Sequence, residues 1–178
     1  MVGTIYLAFK NFVITQYDHQ VMEKTFRRAH YSPDHFVVMG VYPADNLHKL
    51  LDSLSNEVGR DKKELLEDFG LFMAPKLHKM YLHLVDPTWK TREFLLHTED
   101  VIHKVVRSKN PHANPARLRF TPIDSQKLLL DYDSKNNMSE FGIGIIKGLA
   151  EYYGEKVETE TITSKNGTIQ IIVDIQPA

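Results

Sequence analysis

Hydrophobic residues in the first half of the chain recur at the spacing of helices. Between Gly3 and Tyr17 they form one inward-facing stripe, made of Ile5, Phe9, Phe12 and Val13. Similar patterns predict helices over about 18–29, 43–58 and 62–80. Pro75 lies inside the last of these, and a proline in a helix interior is expected to break or kink it. We therefore predict a helical N-terminal half.

The stretch from Trp89 to Val106 is one amphipathic helical pattern that carries a histidine, His103, near its end. Asp86-Pro87-Thr88 precedes it as a start signal, a capping carboxylate followed by proline. His103 borders the apolar face, whereas Glu99 and Asp100, one turn earlier, are expected to stay solvated. The pattern alone fits an ordinary helix histidine. The functional alternative is a metal or haem ligand through a neutral imidazole.

The periodicity changes after a turn-rich connector at 110–115. Four segments alternate as strands, over 117–122, 127–133, 156–163 and 168–175. Asn166-Gly167 predicts a hairpin turn between the last two, and a helical pattern over 138–153 separates the two strand pairs. The expected fold class is therefore α+β, with a helical N-terminal part and a C-terminal antiparallel four-stranded sheet with one helix.

The composition narrows the class of protein. The chain has 178 residues, of which 42% are hydrophobic and 25% charged, as in an ordinary globular domain. Its net charge of −1 gives no basic field for nucleic acid or an anionic membrane. No apolar stretch approaches the roughly 18–20 residues that cross a bilayer, and the N-terminus lacks secretory features, so a cytoplasmic protein is expected. The absence of cysteine excludes disulfides and thiolate ligands.

The strand that begins near Leu128 carries a second chemical signal. Residues two apart share a face of a strand, and this face consists of Leu128, Leu130, Tyr132, Ser134 and Asn136. The side chains of this face are apolar at its start, at Leu128 and Leu130, and can form hydrogen bonds from Tyr132 onward. The wall of a pocket for a ligand with an apolar body and an anionic edge has this pattern, and so does a strand whose end reaches solvent.

Glycines in the following helix are a third signal. Gly142, Gly144 and Gly148 each cost up to about 1 kcal/mol relative to alanine in a helix interior. Close approach of a neighbouring element or of a flat ligand would offset this cost, as would tight packing of the helix on the sheet.

Catalytic motifs are absent from the sequence. It contains no nucleophile elbow, phosphate loop or dinucleotide fingerprint. The carboxylate pairs Glu67-Asp68 and Glu99-Asp100 are adjacent in sequence, so both members cannot face one cleft. His97 and His103 lack the four-residue spacing of a zinc pair. We therefore expect a protein that is not an enzyme.

Four segments carry a family likeness in their order and spacing: Met1–Ile5, Glu99–His103, Tyr132–Ser134 and Ile145–Gly148. Together they resemble the H-NOX domains, haem-binding nitric oxide and oxygen sensors related to the sensory domain of soluble guanylate cyclase. The resemblance covers essentially the whole chain. It implies one domain over 1–178, with a helical distal subdomain over about 1–84 and a proximal subdomain with the sheet over about 85–178. Haem b (iron protoporphyrin IX) would lie between them.

The resemblance also implies roles for individual residues. His103 would be the axial iron ligand, and the hydroxyls of Tyr132 and Ser134 would meet the haem propionates. The positions that match the family's distal pocket are Ile5, Phe9, Leu77, Phe141 and Ile145.

Two departures from the family pattern bear on haem binding. The family motif is Tyr-x-Ser-x-Arg, and Asn136 stands at the arginine position. An amide lacks the cationic fork of a guanidinium, so we expect weaker haem retention or compensation by Lys135 or another basic residue. Pro115-Ala116 stands where the family commonly has a Pro-Pro pair packed on the haem, which implies reduced haem distortion.

The resemblance implies a nitric oxide sensor with five-coordinate ferrous haem. Oxygen-binding members use a tyrosine as hydrogen-bond donor, and Phe141 stands at that position, so little stable oxygen binding is expected. Nitric oxide would weaken or break the bond to His103 and shift its helix. No output domain is recognised in the 178 residues. A separate signalling protein is therefore the expected partner, such as a histidine kinase or a cyclic-di-nucleotide enzyme. Binding to nucleic acid or to a membrane is not expected.

Two alternatives remain open. One is a sensor of haem redox state or haem availability, which the Asn136 change favours. The other is a scaffold or small-ligand module that has the same fold without haem. A haem enzyme comes third, because the apolar distal pocket offers no general acid or base.

Overall fold

Helices come first along the chain. The computed structural model describes residues 1–109, 115–163 and 169–177, so the predicted turn at Asn166-Gly167 and most of the 110–115 connector lie outside them. The helical part consists of α1 (Gly3–Gln16), α2 (His19–Arg28), α3 (Asp45–Val58), α4 (Lys62–Tyr81) and a 3₁₀ turn (Leu82–Leu84). None of the helices in the described ranges combines the length and apolar composition that a bilayer crossing requires.

A broken helix and a sheet follow. The helix has three parts, α5 (Thr91–His97), a π-helical segment (Thr98–His103) and α6 (Lys104–Lys109). Next come β1 (Arg117–Pro122), β2 (Lys127–Asp133), α7 (Ser139–Tyr152), β3 (Glu155–Thr163) and β4 (Ile169–Pro177). The strands pair antiparallel in the order β1-β2-β4-β3. The predicted α+β fold with a four-stranded antiparallel sheet is confirmed.

Two buried clusters form the core. The first is aromatic and leucine-rich and joins α1 to α4, with Phe9, Phe12 and Phe69 at its centre. The second lies between the sheet and the helices, where Leu130 and Ile171 are paired across β2 and β4. The helix α7 contributes to both, because Phe141 packs on the first cluster whereas Ile143, Ile146 and Leu149 belong to the second. The subdomain boundary near residue 84 stays a prediction.

The sequence predicted a break or a kink at Pro75, and the break is wrong because the helix α4 continues through Pro75 to Tyr81. Proline removes the hydrogen bond to the carbonyl of Leu71, four residues earlier. That carbonyl lies against α7, where a Cβ added to Gly148 would come within 3.0 Å of the Leu71 oxygen and 2.7 Å of the Ala74 Cβ. Tertiary packing along α7 therefore holds the helix past its proline.

The helix that carries His103 begins at Thr91 rather than at Trp89. The Asp86 carboxylate does not cap it, because its Oδ1 accepts from the amide nitrogen (2.8 Å) and the hydroxyl (2.6 Å) of Thr88 and so closes a preceding turn. The carboxylate of Glu93 instead accepts from the Lys90 amide at 3.2 Å and starts the helix. Asp86-Pro87-Thr88 therefore forms a turn that ends before the helix begins at Thr91.

The glycines of α7 lie where two helices approach closely. A Cβ on Gly144 would overlap the carbonyl oxygen of Glu67 on α4, and a Cβ on Gly70 would overlap the carbonyl oxygen of Phe141. The contact between backbones offsets the helical cost of glycine at these positions. The sequence left three explanations open for the glycines of α7. Close approach of a neighbouring element accounts for Gly144 and Gly148, and this element is the helix α4 rather than the sheet.

A buried histidine joins α4, α5 and α7. The ring of His78 is 4% exposed and its Nε2 lies 3.0 Å from the hydroxyl of Tyr153. The rings of Tyr152 and Phe94 lie 4.1 Å and 5.7 Å from it, centroid to centroid. Burial lowers the pKa of His78 below its ordinary value of 6.5, because the charged ring would lose its hydration.

Acid is expected to destabilise the protein through His78. Between the lowered pKa and 6.5, the unfolded chain binds more protons than the folded chain, so stability falls as pH drops below 6.5. His78→Gln should flatten this dependence, by at most about 1.4 kcal/mol per pH unit. Urea unfolding at pH 7 and pH 5 measures it, with the exposed His83→Gln as control. Equal slopes for the natural protein and His78→Gln would contradict this assignment.

Candidate functional site

His103 ends a π-helical segment. This segment, Thr98–His103, is wider than an α-helix because its hydrogen bonds span five residues, and such single turns are frequent at functional sites. The Thr98 hydroxyl donates to the Phe94 carbonyl at 2.8 Å and is buried, as is Ile102. These contacts anchor one face of the segment and leave the His103 side chain at a border, 17% exposed.

The imidazole of His103 has two polar neighbours. Its Nδ1 lies 3.1 Å from Oε2 of Glu99, and the main chain of Ala116 lies near the ring. Burial lowers the pKa of His103 and outweighs the opposing effect of the Glu99 carboxylate. The ring is therefore neutral at pH 7, which is the form that binds a metal.

Glu99 is half-buried, so the expectation that it stays solvated is wrong. Its Oε1 lies 2.7 Å from the Arg107 guanidinium, and its Oε2 accepts from the Leu118 amide at 3.2 Å. Burial alone would oppose ionisation, but the hydrogen bonds from Arg107, Leu118 and His103 together hold the pKa of Glu99 below its usual range. Asp100 is exposed, as expected.

The end of β2 gathers hydrogen-bonding groups. Tyr132 is 8% exposed, and its hydroxyl lies near that of Ser134. The Ser134 Oγ accepts from the amide of Asn136 at 3.2 Å. Burial raises the pKa of Tyr132, so the phenol stays protonated. Two hydroxyls thus lie together, one of them held by the Asn136 amide, and hydroxyl donors suit a carboxylate.

The loop after β2 is held by a residue that the sequence did not point to. The Nε2 of His48 on α3 donates to the carbonyl of Asn136 at 2.7 Å. Asn137 adopts a left-handed backbone with φ of 48°, which completes the turn into α7. Lys135 is exposed. The contact joins positions 88 apart in sequence, and no local pattern signals it.

The five positions matched to the distal pocket are all hydrocarbon. Phe9 is fully buried, and the other four, Ile5, Leu77, Phe141 and Ile145, are half-buried. The Phe69 ring lies 5.3 Å from that of Phe9 and 5.2 Å from that of Phe141, so these two residues pack on the same aromatic ring. The neighbouring Tyr6 hydroxyl donates to the Pro43 carbonyl at 2.6 Å and is therefore committed elsewhere.

Strand pairing connects the two polar parts of the site. Leu118, whose amide binds Glu99, is paired with Tyr132 across β1 and β2. The Tyr132 ring in turn lies beside Gly142, at 3.5 Å from an added Cβ, next to Phe141. Half-buried Pro115 precedes Ala116, which contacts the His103 ring. The structure thus links His103 to the Tyr132 hydroxyl group and to the first residues of α7.

These residues fit a haem. In the described ranges, no group of three or more histidine, aspartate or glutamate residues could hold a metal ion by itself. Haem iron, by contrast, is commonly held by one protein histidine. His103 offers a neutral imidazole, hydrocarbon side chains suit the porphyrin, and the Tyr132 and Ser134 hydroxyls suit its propionates.

Comparison with known proteins identifies the family. The model of the Haem-NO-binding family matches residues 2–161. Three similar solved structures are the unliganded Fe(II) H-NOX protein from K. algicida (TM-score 0.89, 20% identity, 100% of this chain and 98% of that chain), the S. oneidensis H-NOX protein in its Fe(II)NO state (0.88, 18%, 99% of each chain) and a T. tengcongensis H-NOX variant (0.86, 18%, 99% and 97%). No curated protein matches significantly. The structural likeness shows the fold, and because the family model matches most of the sequence, the chain belongs to the Haem-NO-binding (H-NOX) family, whose members are haem-binding gas sensors.

Proposed function

We propose that this protein is a nitric oxide sensor that holds haem b through His103 and signals to a separate protein. The observation that carries the proposal is the half-buried imidazole of His103, one of whose ring nitrogens is already engaged by Glu99. Such a ring can bind iron through its other nitrogen. The hydrocarbon side chains at the distal positions support nitric oxide over oxygen.

Each group of residues has a distinct part. When haem is bound, its iron would be the atom to which nitric oxide binds. His103 would be the axial ligand, and Tyr132 and Ser134 would orient the propionates, with Asn136 holding the Ser134 hydroxyl through its main-chain amide. The distal positions Ile5, Phe9, Leu77, Phe141 and Ile145 would exclude water, and Pro115 would pack on the proximal side.

The proposed signal is the movement of His103. Loss of its axial bond would free the π-helical segment and α6 to shift relative to β1. The shift transmits a signal only if the partner has different affinities for the two arrangements. A histidine kinase or a cyclic-di-nucleotide enzyme is the proposed partner.

The absorption spectrum of the haem-reconstituted ferrous protein tests this function. We expect a five-coordinate spectrum without gas, a large change with nitric oxide, and no stable oxygen binding in air. A spectrum that is unchanged by nitric oxide would overturn nitric oxide sensing. A protein without a Soret band after haem addition would instead be a scaffold of the same fold.

A second candidate is a sensor of haem redox state or haem supply. The observation in its favour is Asn136, whose main chain takes a histidine contact where the family has an arginine side chain. Hydrogen exchange of residues 98–109 in the ferric and ferrous proteins distinguishes the two functions. Protection that differs between oxidation states without gas would favour redox sensing.

A tyrosine at position 141 is expected to strengthen oxygen binding. The Phe141 ring is half-buried beside Phe69, and a hydroxyl added to its edge would supply a hydrogen-bond donor to the hydrocarbon wall. One such bond is worth about 1 kcal/mol, so Phe141→Tyr should lose oxygen about fivefold more slowly than the natural protein. Stopped-flow absorption measures this rate, with Phe120→Tyr on β1 as control. Equal rates in all three proteins would place Phe141 outside the gas pocket.

A further inference from the structure

We propose that Glu99 is the positioning residue of His103: its carboxylate fixes the ring proton on Nδ1, presents Nε2 to the iron and strengthens the imidazole as an electron donor. The inference rests on the proposed role of His103 and assigns to Glu99 control over iron reduction and over release of the axial histidine.

The geometry starts from the spacing of three residues. Glu99, His103 and Arg107 are four residues apart in turn and lie on one side of the helix. Oε2 of Glu99 lies 3.1 Å from Nδ1 of His103, and Oε1 lies 2.7 Å from the Arg107 guanidinium. Because a carboxylate oxygen only accepts, the Nδ1 atom is the donor and carries the proton.

The carboxylate is held before any ligand binds. Oε2 also accepts from the Leu118 amide of β1 at 3.2 Å, so both oxygens have fixed partners. The side chains of Glu99 and Arg107 are 30% and 34% exposed, which limits competition from water. Glu99 therefore cannot leave His103 without giving up contacts to both the helix and the sheet.

A carboxylate behind a ligand imidazole has known physical consequences. A metal-bound histidine carries its single proton on the remote nitrogen, and donation of that proton to a carboxylate fixes the tautomer and raises the basicity of the ring. A charged acceptor makes a stronger hydrogen bond than a neutral one, so the carboxylate holds this proton more firmly than an amide or a carbonyl would. A more basic ring favours ferric over ferrous iron and holds the axial bond more firmly.

Glu99→Leu tests the assignment in the haem-loaded protein, with Glu99→Gln as a size-matched variant that keeps a neutral acceptor. We expect Glu99→Leu to favour ferrous iron roughly tenfold, which is a rise of about 59 mV in midpoint potential. Glu99→Gln should give a smaller rise. The iron–histidine stretching frequency should fall in the same order, and nitric oxide should displace His103 faster.

Asp100→Asn is the matched control, because it removes the same charge from the adjacent, exposed position. Its potential should equal that of the natural protein. If Asp100→Asn shifts the potential as much as Glu99→Leu, the effect is one of general charge and the proposal is wrong. Equal potentials in all four proteins overturn it as well.

The ring tautomer provides a readout that needs no haem. Nitrogen NMR of the full chain should show His103 with its proton on Nδ1, and Glu99→Leu should lose this preference. A natural protein with the proton on Nε2 would refute the role of Glu99 even if haem binds through His103. Conversely, a protein that has the Nδ1 tautomer but no nitrogen-ligated haem would show that only the proposed haem function fails.

Discussion

His103→Gly is expected to abolish the five-coordinate histidine spectrum of the ferrous protein. Loss of an outer partner of a metal ligand alone commonly costs 10–100-fold in affinity, so loss of the ligand itself should weaken haem binding by at least about 100-fold. The vacated space next to Glu99 would accept free imidazole, because the carboxylate would still offer its acceptor oxygen. Added imidazole should therefore restore both haem binding and the spectrum, as measured by absorption titration.

His97→Gly is the matched control for that experiment. It removes the same side chain from the same helix, but His97 is exposed and stacks on the Trp89 ring at 4.6 Å. Its haem spectrum should equal that of the natural protein. Retention of the five-coordinate spectrum in His103→Gly, or its loss in His97→Gly, would contradict the assignment of His103 as iron ligand.

Gly144→Ala is expected to cause the largest loss of stability among single-methyl changes in α7. The added Cβ would overlap the main-chain carbonyl of Glu67, and main chain cannot move aside as a flexible side chain can. Overpacking of this kind costs about 1–3 kcal/mol. Separation of α4 from α7 would also displace Phe141 relative to Phe69, so a change in the haem spectrum should accompany the lower free energy of unfolding in urea.

Gly142→Ala, in the same helix, is expected to raise the stability of the protein. The atom nearest to its added Cβ is the edge of the Tyr132 ring at 3.5 Å, which is an ordinary contact. The better helix former should then stabilise the protein by up to about 1 kcal/mol. If Gly144→Ala were as stable as Gly142→Ala, close approach would not be the reason for glycine at position 144.

Local sequence patterns were sufficient to predict the strands β1 and β2 and the start of α2. The predicted ranges of β1 and β2 agree with the structure because Leu128, Leu130 and Tyr132 alternate with less buried residues, and the intervening Asp124 accepts from two amides of the turn. The burial of one face of β2 follows from the same alternation. Asp18 caps α2 through the Val21 amide at 2.7 Å, which is also a local contact.

Long-range contacts account for what the sequence did not reveal. Pro75 stays inside a helix because α7 lies against its neighbours, and His48 reaches Asn136 from a distant helix. Glu99 could have been identified from its spacing to His103 and Arg107, but its burial depends on the Leu118 amide of a strand. The roles of the site residues in haem binding stay predictions, because they depend on a ligand that the amino-acid pattern does not contain.

The π-helical turn that ends at His103 allows the following helix, α6, to rotate. A π turn holds one residue more than the α-helix around it, so a return to α spacing shifts all later residues by one position. One position corresponds to about 100° around the helix axis and about 1.5 Å along it. If His103 is the axial ligand as proposed, loss of its bond to iron would rotate α6 about its own axis and change the face that α6 presents to solvent. A partner protein could read this change of face without any movement of the sheet.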